Sequence, residues 1–324
     1  VRTRLLADAL MRRLEAAGRP PDEAEAVAVT ALRSVGLALD KGKTQYLVFL
    51  GQDQIEALAQ ACLAHWEALK EVAAPDAGAG RAAKKEARGA VPKEVGDALA
   101  AVLDGSRAAD LALFGRMLAD RPDKNVDAAS QVAHAISTNR VSTEFDFYTA
   151  VDDLQPGEET GAGMMGTVEF NSACFYRYAN VDAGQLAHNL GGDRELARQT
   201  LGAFIRASVQ AIPTGKQNSM AAHNPPSVVF AVVRDSGLEN LCNAFARPAS
   251  PGRDGDLIEE SAKRLDREWD KLRTMYGDGS VRGTWVASMV APAATATLAA
   301  TSENVDGLVE GVLGAVSFDG GVGQ

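Results

Sequence analysis

Few residues of this 324-residue chain have types and spacings that could do chemistry. The four histidines, His65, His134, His188 and His223, stand far apart, and none keeps a metal-ligand spacing with another ligand, so no zinc site is expected. Asp152 and Asp153, with Glu158 and Glu159, could hold Mg²⁺ for phosphodiester hydrolysis, because hard oxygen ligands suit that ion. The plainer reading of those carboxylates is a solvated acidic loop. Neighbouring strand residues point to opposite faces, which works against a shared metal. Ser219 followed by His223 lacks an elbow and an acid partner in the sequence. Thr214-Gly215-Lys216 resembles the end of a phosphate-binding loop, but the spaced glycine before it is missing. Cys62, Cys174 and Cys242 are odd in number and widely separated, which suits a reducing cytoplasm and offers no disulfide framework. Neither a metal nor a cofactor is expected.

Binding chemistry is better represented than catalysis. The loop Gly215-Lys216-Gln217-Asn218 offers a point charge, side-chain amides and accessible backbone N–H groups. Those groups hold phosphate and sugar oxygens without reading sequence. Phe147, Tyr148 and Met165 lie in a stretch that holds seven of the fifteen Phe and Tyr residues, between Phe145 and Tyr178. A backbone clamp combined with an apolar, aromatic wedge is the pattern of sequence-tolerant single-strand binding.

The element expected to carry the wedge is a long β-hairpin over 141–180. Segments 141–151 and 164–178 are rich in β-branched and aromatic residues, and Pro156, Gly157, Gly161 and Gly163 punctuate the acidic stretch between them. Around it the pattern predicts helices over 2–17, 22–34 (Asp22 as cap, Glu25 as its capping-box partner), 53–70, 92–103, 126–137, 182–211 with a break at Gly191-Gly192, and 256–276. Short strands are expected over 47–50, 108–117, 228–233, 238–245 and 285–290, with 238–245 pairing antiparallel to 228–233. Residues 73–88 read as a surface loop whose basic cluster, Arg81, Lys84, Lys85 and Arg88, is solvated; the tail from Pro292 receives no element. The order of elements predicts an α+β fold.

Size allows one large or two ordinary domains, and the net charge of -10 argues against a protein that coats nucleic acid over its whole surface. A local basic groove remains compatible with it. No apolar run reaches membrane-spanning length, and no signal peptide is recognisable at the start.

Six blocks in order carry a family resemblance: DLALFGRM (110–117), VAHAIST (132–138), FYTAVDDL (147–154), FYRYAN (175–180), GKQ (215–217) with AAHNP (221–225), and NAF (243–245). Together they resemble the CasC family, the repeated backbone subunit of the type I-E CRISPR surveillance complex, Cascade. The resemblance implies a modified RNA-recognition-like (ferredoxin-like) palm over 126–290, a helical fingers domain over 1–125, a hairpin thumb over 141–180 and a C-terminal tail over 291–324. The family opens with a palm strand and an RNA-gripping segment that are not found before Val1 in this sequence, and the full protein is expected to contain them.

The same resemblance implies that copies of the chain stack head to tail along a crRNA guide and present it to a target DNA strand, alongside other Cascade subunits. Cleavage would belong to a recruited nuclease-helicase, so the chain itself is expected not to be an enzyme. Position by position, Met117, Phe147, Tyr148, Val151 and Met165 would pack at a kinked nucleotide, Thr149 would lie beside the guide–target duplex, and Lys216 with Gln217 would hold the guide backbone. Family members often have Trp-Phe where this chain has Phe147-Tyr148, which keeps both positions aromatic. The rival readings are a metal-dependent nuclease using Asp152 and Asp153, and a stand-alone single-stranded RNA-binding protein.

Overall fold

The computed structural model describes residues 1–73, 91–103, 108–151, 161–251, 255–299 and 302–318, and leaves the side chains of 151 and 161–165 undescribed. The basic cluster of Arg81, Lys84, Lys85 and Arg88 and the carboxylates Asp152, Asp153, Glu158 and Glu159 lie outside the described residues. Two compact units form, one from 1–131, 181–201 and 317–324, the other from 132–180 and 202–316. The secondary structure mixes helices with two-stranded antiparallel ladders.

The first unit is mainly helical. Leu6, Leu10 and Leu14 recur every four residues and are fully buried on one stripe of Leu6–Ala16. They meet Val27, Ala31 and Leu32 of Pro21–Ser34, and Ile55, Leu58 and Cys62 of Gln52–Ala64. Burial pushes the Cys62 thiol up to about 12, so it stays an inert thiol at neutral pH. Three expectations need correction here. Residues 2–3 are not helical; Arg2–Thr3 is a strand paired with Val48–Phe49. Asp22 is not the cap of the second helix, because Pro20 occupies that position and Pro21 is the first helical residue, where a missing N–H costs nothing. The helix expected over 53–70 breaks at His65 into Gln52–Ala64 and Trp66–Val72, with Arg19 held over the buried Trp66 ring at 4.6 Å.

Residues 109–114 form a helix rather than the expected strand. A continuous apolar run of this length reads alike as helix or strand, and Leu111, Ala112 and Leu113 are all buried. Gly115 stops it at φ 71°, with its N–H donating to the Leu111 carbonyl. The helix expected over 126–137 is absent; short strands occupy Ser130–Val132 and Ile136–Ser137. Their partners lie far off in sequence, as where Tyr176 pairs with Ile136, which no local pattern reveals.

In the second unit the hairpin is present, with narrower strands than expected: Glu144–Val151 against Gly161–Phe170. After Phe170 the chain leaves that ladder, and Phe175–Tyr176 pairs with Ile136–Ser137 instead. Val228–Arg234 is a strand as expected, but its neighbour is Val281–Ser288, with Phe230 opposite Val286. Residues 241–245 are a 3-10 turn capped by the Asn240 side chain on Cys242 N–H. Trp269 of the long helix Leu257–Tyr276 packs edge-on to Phe230 at 5.2 Å, within a cluster holding Leu241, Val286 and Leu298. Buried Asp266 on that helix accepts the amides of Thr297 and Leu298 at 2.6 and 3.0 Å, tying down the segment that follows Pro292. The tail then adds an unexpected helix, Val305–Ala315, started by the Asn304 side chain on Gly307 N–H. Its Gly311 faces the Trp285 indole so closely that a Cβ there would collide with the ring. Glycine weakens a helix and thereby masked this one in the sequence.

Candidate nucleic-acid interface

The hairpin ladder sets the direction of every side chain on it. Phe145 pairs with Glu169, Phe147 with Thr167 and Thr149 with Met165; on the alternate positions Asp146 pairs with Val168 and Tyr148 with Gly166. Successive strand residues face opposite sides, so Phe147 and Tyr148 do not form one wedge on a single face. Phe147 is 68% exposed and Phe145 on the same face is 70% exposed. Thr149, further toward the tip, has its hydroxyl on the Ala150 carbonyl at 3.3 Å. Phe145 was not among the expected contact residues; alternation within 145–149 was the signal for it. Val151 lies opposite Gly161, past a register shift.

Tyr148 behaves differently from the two phenylalanines. Its ring crosses to the opposite strand and covers Gly166, where an added Cβ would stand 2.6 Å from the phenol oxygen and 2.7 Å from Cζ. A ring laid over a cross-strand glycine fills the gap that the missing side chain leaves in the sheet surface. One side of the ring thus rests on protein.

The Lys216 loop belongs to the same unit. Lys216 adopts left-handed backbone angles (φ 57°, ψ 16°), and its carbonyl accepts the amides of Ser219 and Met220 at 3.2 and 2.9 Å. Lys216 is exposed. Gln217 donates from Nε2 to the Pro213 carbonyl at 2.6 Å and accepts from Ala222 N–H through Oε1 at 2.8 Å. Both ends of its amide thus staple the loop.

Met117 sits in the first unit and is pushed outward from both sides. Its neighbours Arg116 and Leu118 are buried, while Met117 is 77% exposed. The Arg116 guanidinium donates to the carbonyls of Leu103 at 2.8 Å and Lys124 at 3.0 Å, and Leu118 N–H donates to Asn125 Oδ1 at 2.7 Å. Arg116 and Val126 also form a backbone bridge, and a Cβ on Gly115 would lie 2.6 Å from the Val126 carbonyl oxygen. The segment is thus clamped so that a large apolar side chain faces water, which sequence alone does not explain.

The chain matches the model of the family described as CT1975-like protein over residues 1–311. It belongs to this CasC-type family. Two solved structures are similar to the CT1975-like chain. A chain of a "CRISPR RNA-guided surveillance complex, pre-nicking" is 30% identical with a TM-score of 0.81, covering 96% of this chain and 84% of that one. A chain of a "CRISPR RNA-guided surveillance complex" is 25% identical with a TM-score of 0.70, covering 98% and 82%. No curated protein matches. Among the described residues no three His, Cys, Asp or Glu side chains gather as a metal site, and no helix is long and apolar enough to cross a membrane.

Proposed function

We propose that this chain is the crRNA-binding backbone subunit of a type I-E Cascade complex and performs no catalysis itself. The observation that carries this reading is its likeness over 96% of its length to a chain of an RNA-guided surveillance complex. The hairpin supports it, because solvent-facing rings such as Phe147 leave apolar surface that a nucleobase can cover. Every base has a π-face, so such a platform accepts any guide sequence.

In this reading residues 1–125 serve as fingers, 126–290 as an RRM-like palm and 141–180 as the thumb. Phe147, Tyr148, Val151, Met165 and Met117 pack where the guide kinks, Phe147 and Tyr148 each against its own base from opposite hairpin faces. Thr149 lies beside the guide–target duplex, and Lys216 with Gln217, whose amide also closes the loop, holds the guide backbone. Further copies of the chain stack by a head-to-tail contact, which extends until other Cascade subunits cap it. Guide–target pairing then supplies sequence specificity, and the protein holds backbone and shape. Target DNA is cut by a recruited nuclease-helicase.

The test is co-expression with a guide RNA and mass measurement of the purified particle. Several copies per RNA, with regularly spaced protection, are expected. Binding of one copy per RNA without cooperativity would identify a stand-alone RNA-binding protein. Mg²⁺-dependent cleavage that Asp152→Ala and Asp153→Ala abolish would identify a nuclease.

A further inference from the structure

Gly166 has no side chain to offer a ligand, yet its position controls one that does. It lies directly opposite Tyr148 in the hairpin register. The outer half of the Tyr148 ring covers it so closely that a Cβ would meet Oη at 2.6 Å, Cζ at 2.7 Å and Cε1 at 2.9 Å. Contacts under 3 Å between non-bonded carbons are repulsive, so any side chain at 166 must move the ring. We infer that Gly166 is a positioning residue for nucleic-acid binding. It lets Tyr148 lie flat across the hairpin with one ring face on protein and the other open to a base. This rests on the stacking role proposed for Tyr148.

The physical argument is about preorganisation. Tyr148 is half exposed, and Phe147 and Phe145 on the other face are more so. A ring standing free in water samples several rotamers, and docking a base on it freezes them. A ring already resting on the opposite strand has less freedom to lose. Its open face also lies at a defined height above the sheet. Alanine at 166 would remove the resting place while leaving the ladder intact, because alanine is no worse than glycine in a strand interior. Hairpin stability should therefore hold while base stacking weakens.

Five proteins test this: wild type, Gly166→Ala, Tyr148→Ala, the double variant of those two, and Phe147→Ala as a comparison. Each is titrated with single-stranded RNA carrying 2-aminopurine at successive positions. Gly166→Ala should weaken binding several-fold and restore fluorescence at the position that Tyr148→Ala also releases. The double variant should bind no more weakly than Tyr148→Ala alone, and thermal midpoints of wild type and Gly166→Ala should agree. Without RNA, the Tyr148 ring resonances should shift in Gly166→Ala, and the upfield shift of the Gly166 α-protons should vanish in Tyr148→Ala. Unmoved ring resonances overturn the inference whatever RNA does. So does wild-type affinity of Gly166→Ala when Tyr148→Ala binds weakly, or a Gly166→Ala effect that persists without the Tyr148 ring. If Tyr148→Ala and Phe147→Ala both leave RNA binding unchanged, the stacking role itself fails and this inference falls with it.

Discussion

Gln217 accepts a hydrogen bond from the Ala222 amide at 2.8 Å while donating to the Pro213 carbonyl at 2.6 Å, so one side chain closes the loop that carries Lys216. Gln217→Ala should accelerate hydrogen exchange at the Ala222 amide and weaken RNA binding without unfolding the protein, since the residue lies on the surface. Lys216→Ala should lower the slope of log affinity against log salt by about one contact. If the slope is unchanged, Lys216 does not meet phosphate. A Gln217→Ala variant with wild-type exchange at Ala222 would contradict the staple.

Phe147 and Tyr148 face opposite sides of the hairpin, paired with Thr167 and Gly166 respectively. Their contributions to RNA affinity should therefore add. Each alanine variant is expected to lose roughly 1–3 kcal/mol, the worth of one base stacked on an aromatic ring, and the pair to lose about the sum. Filter binding of the two singles and the double would check this. A double variant no weaker than either single would mean that both rings serve one base.

Met117 and its neighbour Arg116 make a contrasting pair. Arg116→Ala removes the donors from the Leu103 and Lys124 carbonyls in a buried place, so urea unfolding should show a loss of about 2–3 kcal/mol. Met117→Ser changes an exposed side chain and should leave stability within about 0.5 kcal/mol of wild type. RNA binding should fall in Met117→Ser all the same. Equal stability losses in the two variants would refute the clamp.

Tyr176 gives the fold a pH dependence on the alkaline side. Its hydroxyl donates to Asn240 Oδ1 and accepts from Leu241 N–H, both at 3.0 Å. Burial raises its pKa well above the ordinary value near 10, although the Leu241 amide pulls the other way. The folded state therefore keeps the neutral phenol where the unfolded chain would ionise. That contribution is complete below about pH 10 and is lost as pH rises further. Wild-type stability should fall more steeply above pH 10 than that of Tyr176→Phe. At neutral pH Tyr176→Phe should be the less stable by about 1–3 kcal/mol, because Leu241 N–H and Asn240 lose a partner.

The sequence by itself determined the local features whose cause is local. The stripe Leu6, Leu10, Leu14, the Gly191-Gly192 break, the amphipathic helix Leu257–Tyr276 and the aromatic hairpin were all legible, because periodicity and glycine act over a few residues. Six blocks in order sufficed for the family. Tertiary structure decided which strand pairs with which, since the partner of Val228–Arg234 lies about fifty residues on, at Val281–Ser288. It also decided that 109–114 is helical and that a glycine-bearing tail forms Val305–Ala315. At the candidate interface the residue types were visible in advance, and strand alternation already put Phe147 and Tyr148 on opposite faces. The lie of the Tyr148 ring over a cross-strand glycine and the outward push on Met117 beside a buried arginine were not visible. Such directions come from contacts between residues far apart in the chain, and no local pattern encodes them.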